Sequence, residues 1–302
     1  MDHALLKAAF AANVAFMAAC NFNDPNLELD PAPGYSLVAL DSSQSFPVLR
    51  KELLESFGSF GCVSCPGAEA KLSPYFHAGN PAYRPRLIVV NYHVKFGTVS
   101  DPWVTAGTQA RYDQSFANSL PQAAMDDSNA AFGIRKTDAN FAQGEYDSLI
   151  ARDSRSDSLT FLDLSLDTAA AAYDSAAQRI RARFTAFNRG HDSEGALVFR
   201  VLAVKNRPVT HPLTGSQAWD AIVTETADKD SAGRQMTLRA LPPLTAKTFT
   251  AFLSLPPDES QKQVTAPPLG PEKPGDYALV VVVKNGGGRV RNALAYHYKP
   301  LP

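Results

Sequence analysis

Two cysteines separated by two residues are the strongest chemical feature of the sequence. Cys62 and Cys65 lie in the stretch GSFGCVSCPGAEAKL, residues 58–72. LLESF before them is typical of a strand, and GAEAKL after them is typical of a helix start. Because the N-terminus of a helix stabilises a thiolate, this order predicts Cys62 as the attacking thiol and Cys65 as the resolving thiol. The same spacing also fits half of a metal site or a static disulfide.

A metal site has less support than a redox or structural pair. A structural zinc ion needs four soft ligands, and the chain has three cysteines and no His-x3-His spacing. A copper site made of Cys62, Cys65 and His93 is conceivable, because His93 ends a strand that could neighbour the first one. A hydrogen-bonded histidine at a strand end is the simpler interpretation of His93. We predict no metal and no cofactor.

The third cysteine belongs to a different feature at the N-terminus. Cys20 follows an uncharged, Ala-rich run from Ala8 to Ala19, which suits the apolar region of a signal peptide and is too short to span a bilayer. The small residues directly before Cys20 resemble a bacterial lipobox, so residues 1–20 are predicted to be a lipoprotein signal peptide with Cys20 lipidated. An N-terminal amphipathic helix is the alternative. With Cys20 acylated, Cys62 and Cys65 would be the only thiols left in an oxidising compartment.

Composition limits the class of protein. The chain has 302 residues, 45% of them hydrophobic and 20% charged, which is enough apolar material for two packed domains. Its formal net charge is −1, from 29 basic and 30 acidic side chains. Nucleic-acid binders normally carry a basic excess or stripe, so we predict no nucleic-acid partner.

The order of elements predicts an α+β protein of two domains. Residues 21–46, rich in proline, read as a tether. Residues 47–155 read as α/β, with RLIVVNYHV at 86–94 as a buried strand. From 158 to 302 the hydrophobic period changes to two, which favours an antiparallel β-sandwich-like domain. Its last two strands form a hairpin that turns at 285–288, whereas TAAAAYDSAAQR has helix propensity between two strands and stays undecided.

The segments ELLESFGSFGCVSCPGAEAKL and RLIVVNYHV together resemble a known fold family. They are similar to the thioredoxin-like domain of exported and lipid-anchored bacterial proteins. One such group consists of outer-membrane lipoproteins with a C-terminal β domain, and a second consists of exported proteins without an assigned function. The resemblance covers roughly residues 48–300, and CVSCP is its specific part. Asp101-Pro102-Trp103 is similar to the second group, with no role implied.

The resemblance implies two further site residues. Pro121 would be the cis-proline that faces the dithiol, with an ordinary trans proline as the alternative. Glu55 would match the buried acid that takes a proton from the resolving cysteine, although its spacing departs by one residue and a surface glutamate is the simpler expectation. The Val-Ser pair between the cysteines leaves the redox direction open.

These features predict an exported lipoprotein on the periplasmic side of the outer membrane. Asn21 after the lipidated cysteine favours outer-membrane sorting, by analogy with enterobacterial lipoproteins. The first functional hypothesis is thiol–disulfide exchange with an envelope thiol substrate. The second is a non-enzymatic binding or assembly lipoprotein, in which Cys62–Cys65 is a static disulfide and the β domain binds a protein partner.

Overall fold

The computed structural model describes twelve stretches of the chain and gives a β-rich fold with mixed sheets. These stretches are residues 37–39, 45–76, 86–113, 120–126, 159–167, 172–174, 179–205, 209–210, 217–219, 222–229, 232–254 and 277–297. The predicted signal peptide 1–20, most of the tether and the helix candidate EYDSLIARD lie outside them. Within these stretches, no helix is long and apolar enough to cross a membrane.

The elements of the first half run from β1 to β6. They are β1 (Leu37–Ala39), β2 (Val48–Leu49), β3 (Glu52–Gly58), α1 (Cys65–Phe76), β4 (Leu87–His93), α2 (Ala106–Asp113), β5 (Gln122–Met125) and β6 (Leu159–Thr160). The strands predicted from LLESF and RLIVVNYHV are β3 and β4, which confirms both. Helix α1 begins at Cys65, two residues earlier than the GAEAKL start that the sequence favours, because Pro66 suits the first helical turn.

The second half is made of strands. They are β7 (Leu162–Leu166), β8 (Ala172–Asp174), β9 (Arg179–Asn188), β10 (Leu197–Lys205), β11 (Val209–Thr210), β12 (Gln217–Trp219), β13 (Ile222–Ala227), β14 (Thr237–Leu238), β15 (Thr245–Ser254), β16 (Tyr277–Asn285) and β17 (Val290–His297). The predicted hairpin is the pair β16–β17. Of the undecided tract TAAAAYDSAAQR, residues 172–174 form a strand paired with β9.

Among the described residues, two large sheets carry the fold. The first has the order β1-β15-β9-β7, with β8 beside β9, and all its pairs are antiparallel. The second has the order β17-β16-β10-β13-β4-β3-β5, with β14 beside β10. It is mixed, since β3 and β4 are parallel, β13 is parallel to β4, and β5 is antiparallel to β3.

Both faces of the second sheet are buried, which explains the unbroken run of valines in β16. Alternate residues of β10 and β16 face opposite ways. Val280 and Val282 join the core that also contains Cys62 and Cys65, and Val281 and Val283 join the core that contains Phe184 and Phe249 of the first sheet. Strands covered on both faces lose the alternation of apolar and polar residues.

The two predicted domains meet in this second sheet. Asn91 of β4 is paired with Ile222 of β13, so the α/β segment and the later β segment contribute neighbouring strands. The boundary between 155 and 158 lies outside the described residues, and the division stays a prediction.

The predicted tether needs one correction. The sequence places residues 37–39 in the tether, but Leu37–Ala39 forms an edge strand paired with residues 245–247 of β15. Proline and polar residues dominate the tether's composition and hide this short apolar run, which has β-strand character only once β15 offers an edge.

Candidate functional site

The two cysteines form a disulfide at the start of helix α1. The Cys62–Cys65 sulfur atoms are bonded, and the Cα atoms are 5.4 Å apart. Cys65 is the first residue of α1, and its N–H donates to the carbonyl of Cys62 over 3.2 Å. Cys62 is 2% exposed and Cys65 is 0% exposed, whereas Val63 between them is 70% exposed. The pairing predicted from the cysteine count is therefore confirmed, and of the two only Cys62 touches solvent.

The disulfide lies at a sheet edge where three elements converge. Strands β3 and β4 are parallel, so their carboxyl ends share this edge, with Gly58 paired to His93. Strand β5 runs the other way and begins there, with Gln122 opposite Phe57. The peptide bond between Leu120 and Pro121, just before β5, is cis, which is the isomer that the resemblance implied. Crevices at the carboxyl ends of parallel strands are frequent ligand sites in α/β sheets. A catalytic role for Pro121 stays a prediction.

Asp101 ties the segment before the cysteines to the loop that follows β4. Its carboxylate accepts hydrogen bonds from the backbone N–H groups of Phe60, over 2.9 Å, and Trp103, over 3.0 Å, and is 2.7 Å from Nδ1 of His93. Burial disfavours the charged form of Asp101, but the nearby His93 and the hydrogen bonds outweigh it and hold the pKa below its ordinary value. Sequence reasoning assigns no role to Asp101, because its partners Phe60 and His93 lie in other segments of the chain.

His93 is a hydrogen-bonded residue at a strand end, as the simpler interpretation expected. It is fully buried, and its ring meets that of Phe60 edge to face at 5.3 Å. In the described part of the chain, no three His, Cys, Asp or Glu side chains are grouped so that they could hold a metal ion. The conceivable copper set also has both of its sulfur atoms committed to the disulfide.

Gly61 permits the close contact between the cysteine segment and the loop 94–104. A Cβ atom placed on Gly61 would lie 2.1 Å from the backbone oxygen of Phe96 and 3.7 Å from Cβ of Val99. Beside this contact, the loop lines a cavity of about 320 Å³ whose walls include Lys95, Asp101 and Val104. A small cleft thus lies next to the residues that precede Cys62.

Glu55 is buried, which overturns the expectation of a surface glutamate. It is 1% exposed and forms a two-fold ion pair with Arg111 of α2, at 2.9 Å from Nε and 2.5 Å from the terminal nitrogen. Burial raises its pKa, but Arg111, together with the charges of Lys284 and Arg200, more than compensates and lowers the pKa to about 2. The two hydrogen bonds from Arg111 occupy both carboxylate oxygens, so in this structure Glu55 pairs the buried charge of Arg111.

Tyr92 belongs to the same buried group. Its ring stacks on Phe57 with centroids 5.1 Å apart, and the guanidinium of Arg111 lies 5.6 Å from the centre of the Phe57 ring. Burial raises the pKa of the Tyr92 hydroxyl, and the Glu55 charge and a hydrogen bond to Glu55 act in the same direction. The contacts among these buried side chains hold α2 against β3 and β4, close to the end of the sheet where the disulfide lies.

Comparison with known proteins gives a fold likeness. No protein-family model matches the sequence, and no curated protein matches it. Among solved structures, HBP35 of Porphyromonas gingivalis is 14% identical with a TM-score of 0.59, over 82% of this chain and 75% of that one. A domain of the outer membrane lipoprotein Omp28 from Porphyromonas gingivalis is 9% identical with a TM-score of 0.27, over 47% of this chain and 92% of that domain. The chain therefore shares its overall β-rich fold with HBP35.

Proposed function

We propose that the chain is an exported, lipid-anchored envelope protein whose Cys62–Cys65 disulfide exchanges with thiols of other envelope proteins. The proposal rests mainly on the disulfide at the first turn of α1, at the sheet edge where β3 and β4 end and β5 begins. The order β3, cysteines, α1, β4, α2 and β5 is the arrangement expected of a thioredoxin-like domain. This order supports the proposal, and the fold alone would not fix the function.

The exchange begins at Cys62, because Cys62 alone of the pair touches solvent. A thiolate of the partner attacks Sγ of Cys62, the Cys62–Cys65 bond breaks, and Cys65 leaves as a thiolate. A second thiolate of the partner then attacks the mixed disulfide and releases Cys62. The partner dithiol loses two electrons and becomes a disulfide, and Cys62 and Cys65 gain them and become a dithiol. The reverse sequence reduces a partner disulfide.

A second candidate is favoured by the burial of the disulfide. Exposures of 2% and 0% leave little sulfur surface for attack. In that case Cys62–Cys65 is a structural disulfide that closes the turn leading into α1, and the β-rich part of the chain binds a protein partner without catalysis.

The redox proposal predicts an exchangeable disulfide. We expect a reduction potential above about −300 mV, measured in dithiothreitol or glutathione buffers, together with accelerated reduction of insulin. The Cys65→Ser variant should accumulate a mixed disulfide at Cys62, whereas the matched Cys62→Ser variant should trap little, because Cys65 is inaccessible. A potential below about −300 mV without exchange activity would instead identify the structural disulfide of the second candidate.

The envelope location predicts lipidation of Cys20. Mass spectrometry of the purified protein should find a chain that begins at Cys20 and carries acyl groups, and the Cys20→Ala variant should lack that mass and keep residues 1–19. The mass is the better readout than membrane fractionation, since an uncleaved apolar run could also hold the variant on membranes. A wild-type chain without acyl groups would refute the lipobox interpretation.

A further inference from the structure

Four large apolar side chains are exposed on and directly beside the small ribbon formed by β2 and β6. Phe46 is 47% exposed, Leu49 43%, Leu159 55% and Phe161 42%. Leu49 and Leu159 are direct cross-strand partners, and Phe46 and Phe161 flank the two strands. We call these four residues the ribbon patch. Exposed apolar side chains that cluster in this way mark interaction surfaces more often than scattered ones do.

The ribbon patch is held firmly against the end of the first sheet. The N–H of Arg189 donates to the carbonyl of Phe161 over 2.8 Å, and the Arg189 guanidinium lies 4.7 Å from the centre of the Phe46 ring. Nε of Arg189 also donates to Asp163 over 2.8 Å. The charge of Arg189 beside the patch is thus already paired within the chain, and the four side chains of the patch themselves offer apolar surface.

We propose that the ribbon patch docks onto a lipid membrane and inserts its Phe and Leu side chains into the interfacial region. The inference rests on the envelope location proposed above. Phe46 is the last residue of the predicted tether that begins after Cys20, so an acylated Cys20 would keep the patch at a high local concentration near the leaflet. Weak insertion of the apolar side chains is then enough to orient the protein on the membrane, because a lipid anchor and a second membrane-binding feature reinforce each other.

A lipid surface fits this chemistry better than a protein partner does. A protein interface usually needs hydrogen bonds or complementary charges to set its register. The rim of the ribbon patch offers an Arg189–Asp163 pair that is satisfied within the chain. Aromatic and aliphatic side chains without such demands are the usual contacts of proteins that lie on a membrane interface.

A site-specific fluorescent probe tests the docking. In the full chain with Cys20→Ala, the retained apolar run from Ala8 to Ala19 replaces the acyl groups as the membrane tether. The disulfide leaves Leu159→Cys as the one free thiol of this chain for labelling with an environment-sensitive dye. On vesicles of phosphatidylethanolamine and phosphatidylglycerol with spin labels in the acyl chains, the dye should be quenched at least about threefold more than on vesicles without them. The matched control is Val198→Cys on β10, which is 36% exposed and lies outside the patch, and its dye should be quenched little.

Further variants separate the possible failures. Adding Phe46→Ser and Phe161→Ser to the Leu159→Cys chain should remove most of the quenching, while the urea midpoint stays near that of the parent because these side chains are half exposed. Equal quenching at positions 159 and 198 would overturn the inference. A dye response that depends on protein concentration in the absence of vesicles would also overturn it, because it would indicate that the patch binds a second copy of the chain. Dye quenching measures neither cysteine exchange nor acylation. The docking inference can therefore fail while the proposed function holds, and the proposed function can fail while the docking inference holds.

Discussion

Replacing either member of the Glu55–Arg111 pair should destabilise the protein by about 3–5 kcal/mol, because each leaves the other charge buried and unpaired. Both side chains are at most 2% exposed, and their two hydrogen bonds join α2 to the centre of β3. Glu55→Ala and Arg111→Ala should therefore have similar effects on the free energy of unfolding, measured by urea titration. Replacing both together, as Glu55→Leu with Arg111→Met, should cost much less than the sum of the single changes.

The exposed pair Arg183–Asp167 is the matched control. Its charged atoms are 3.7 Å apart, and its side chains are 53% and 41% exposed. Water and salt screen such a pair, so Asp167→Ala should change stability by about 0.5 kcal/mol or less. Equal costs for Asp167→Ala and Glu55→Ala would contradict a structural role for the buried pair.

The Glu55–Arg111 pair also predicts that part of the free energy of unfolding is lost in acid. The folded-state pKa of Glu55 is about 2, below its ordinary value of 4.5. A lowered pKa contributes stability that is fully present above the ordinary value and is lost as the pH falls from there toward 2. This window corresponds to about 3 kcal/mol if the whole shift is realised. In the Arg111→Ala variant, we expect the loss of stability between pH 5 and pH 2 to shrink.

The sequence predicts local elements well where the pattern is set by neighbours along the chain. β3, β4 and the β16–β17 hairpin have the apolar content and turn residues that their structures require, and the spacing of Cys62 and Cys65 allows the disulfide that the structure contains. In β9, the alternation of Ile180, Ala182 and Phe184 with arginines matches a strand with one buried face. These predictions depend only on residue types and spacings within short segments of the chain.

Contacts between distant segments escape the same reasoning. Glu55 reads as a surface residue because its partner Arg111 lies on another element, yet all seven residues of β3 are buried. A carboxylate inside a strand without polar alternation was the signal that could have indicated a buried ion pair. Asp101 likewise acts through Phe60 and His93, and the joining of β4 to β13 depends on pairing across more than a hundred residues. None of these three contacts produces a periodic pattern in the sequence, so pattern reasoning does not detect them.

Gly61→Ala should destabilise the protein by about 3 kcal/mol. The atom that the new methyl group meets belongs to the backbone, so the clash cannot be relieved by rotating a side chain. The added methyl group would lie 2.1 Å from the oxygen of Phe96, so the loop 94–104 has to withdraw from the cysteine segment. That movement should also loosen the hydrogen bond from Phe60 to Asp101 and uncover Cys62. We therefore expect faster reduction of the disulfide by dithiothreitol as well as a lower urea midpoint.

Gly67→Ala provides the matched control within the same segment. Gly67 is the third residue of α1, is exposed, and has nothing within 4 Å of an added Cβ. The substitution should stabilise the helix by about 0.5–1 kcal/mol and leave the reduction rate unchanged, because alanine loses less backbone entropy than glycine does. If both variants behaved alike, the packing of the loop 94–104 would not govern access to Cys62. Opposite signs of the two effects would instead identify this contact as the element that holds the disulfide covered, and would link the stability of the site directly to its reactivity.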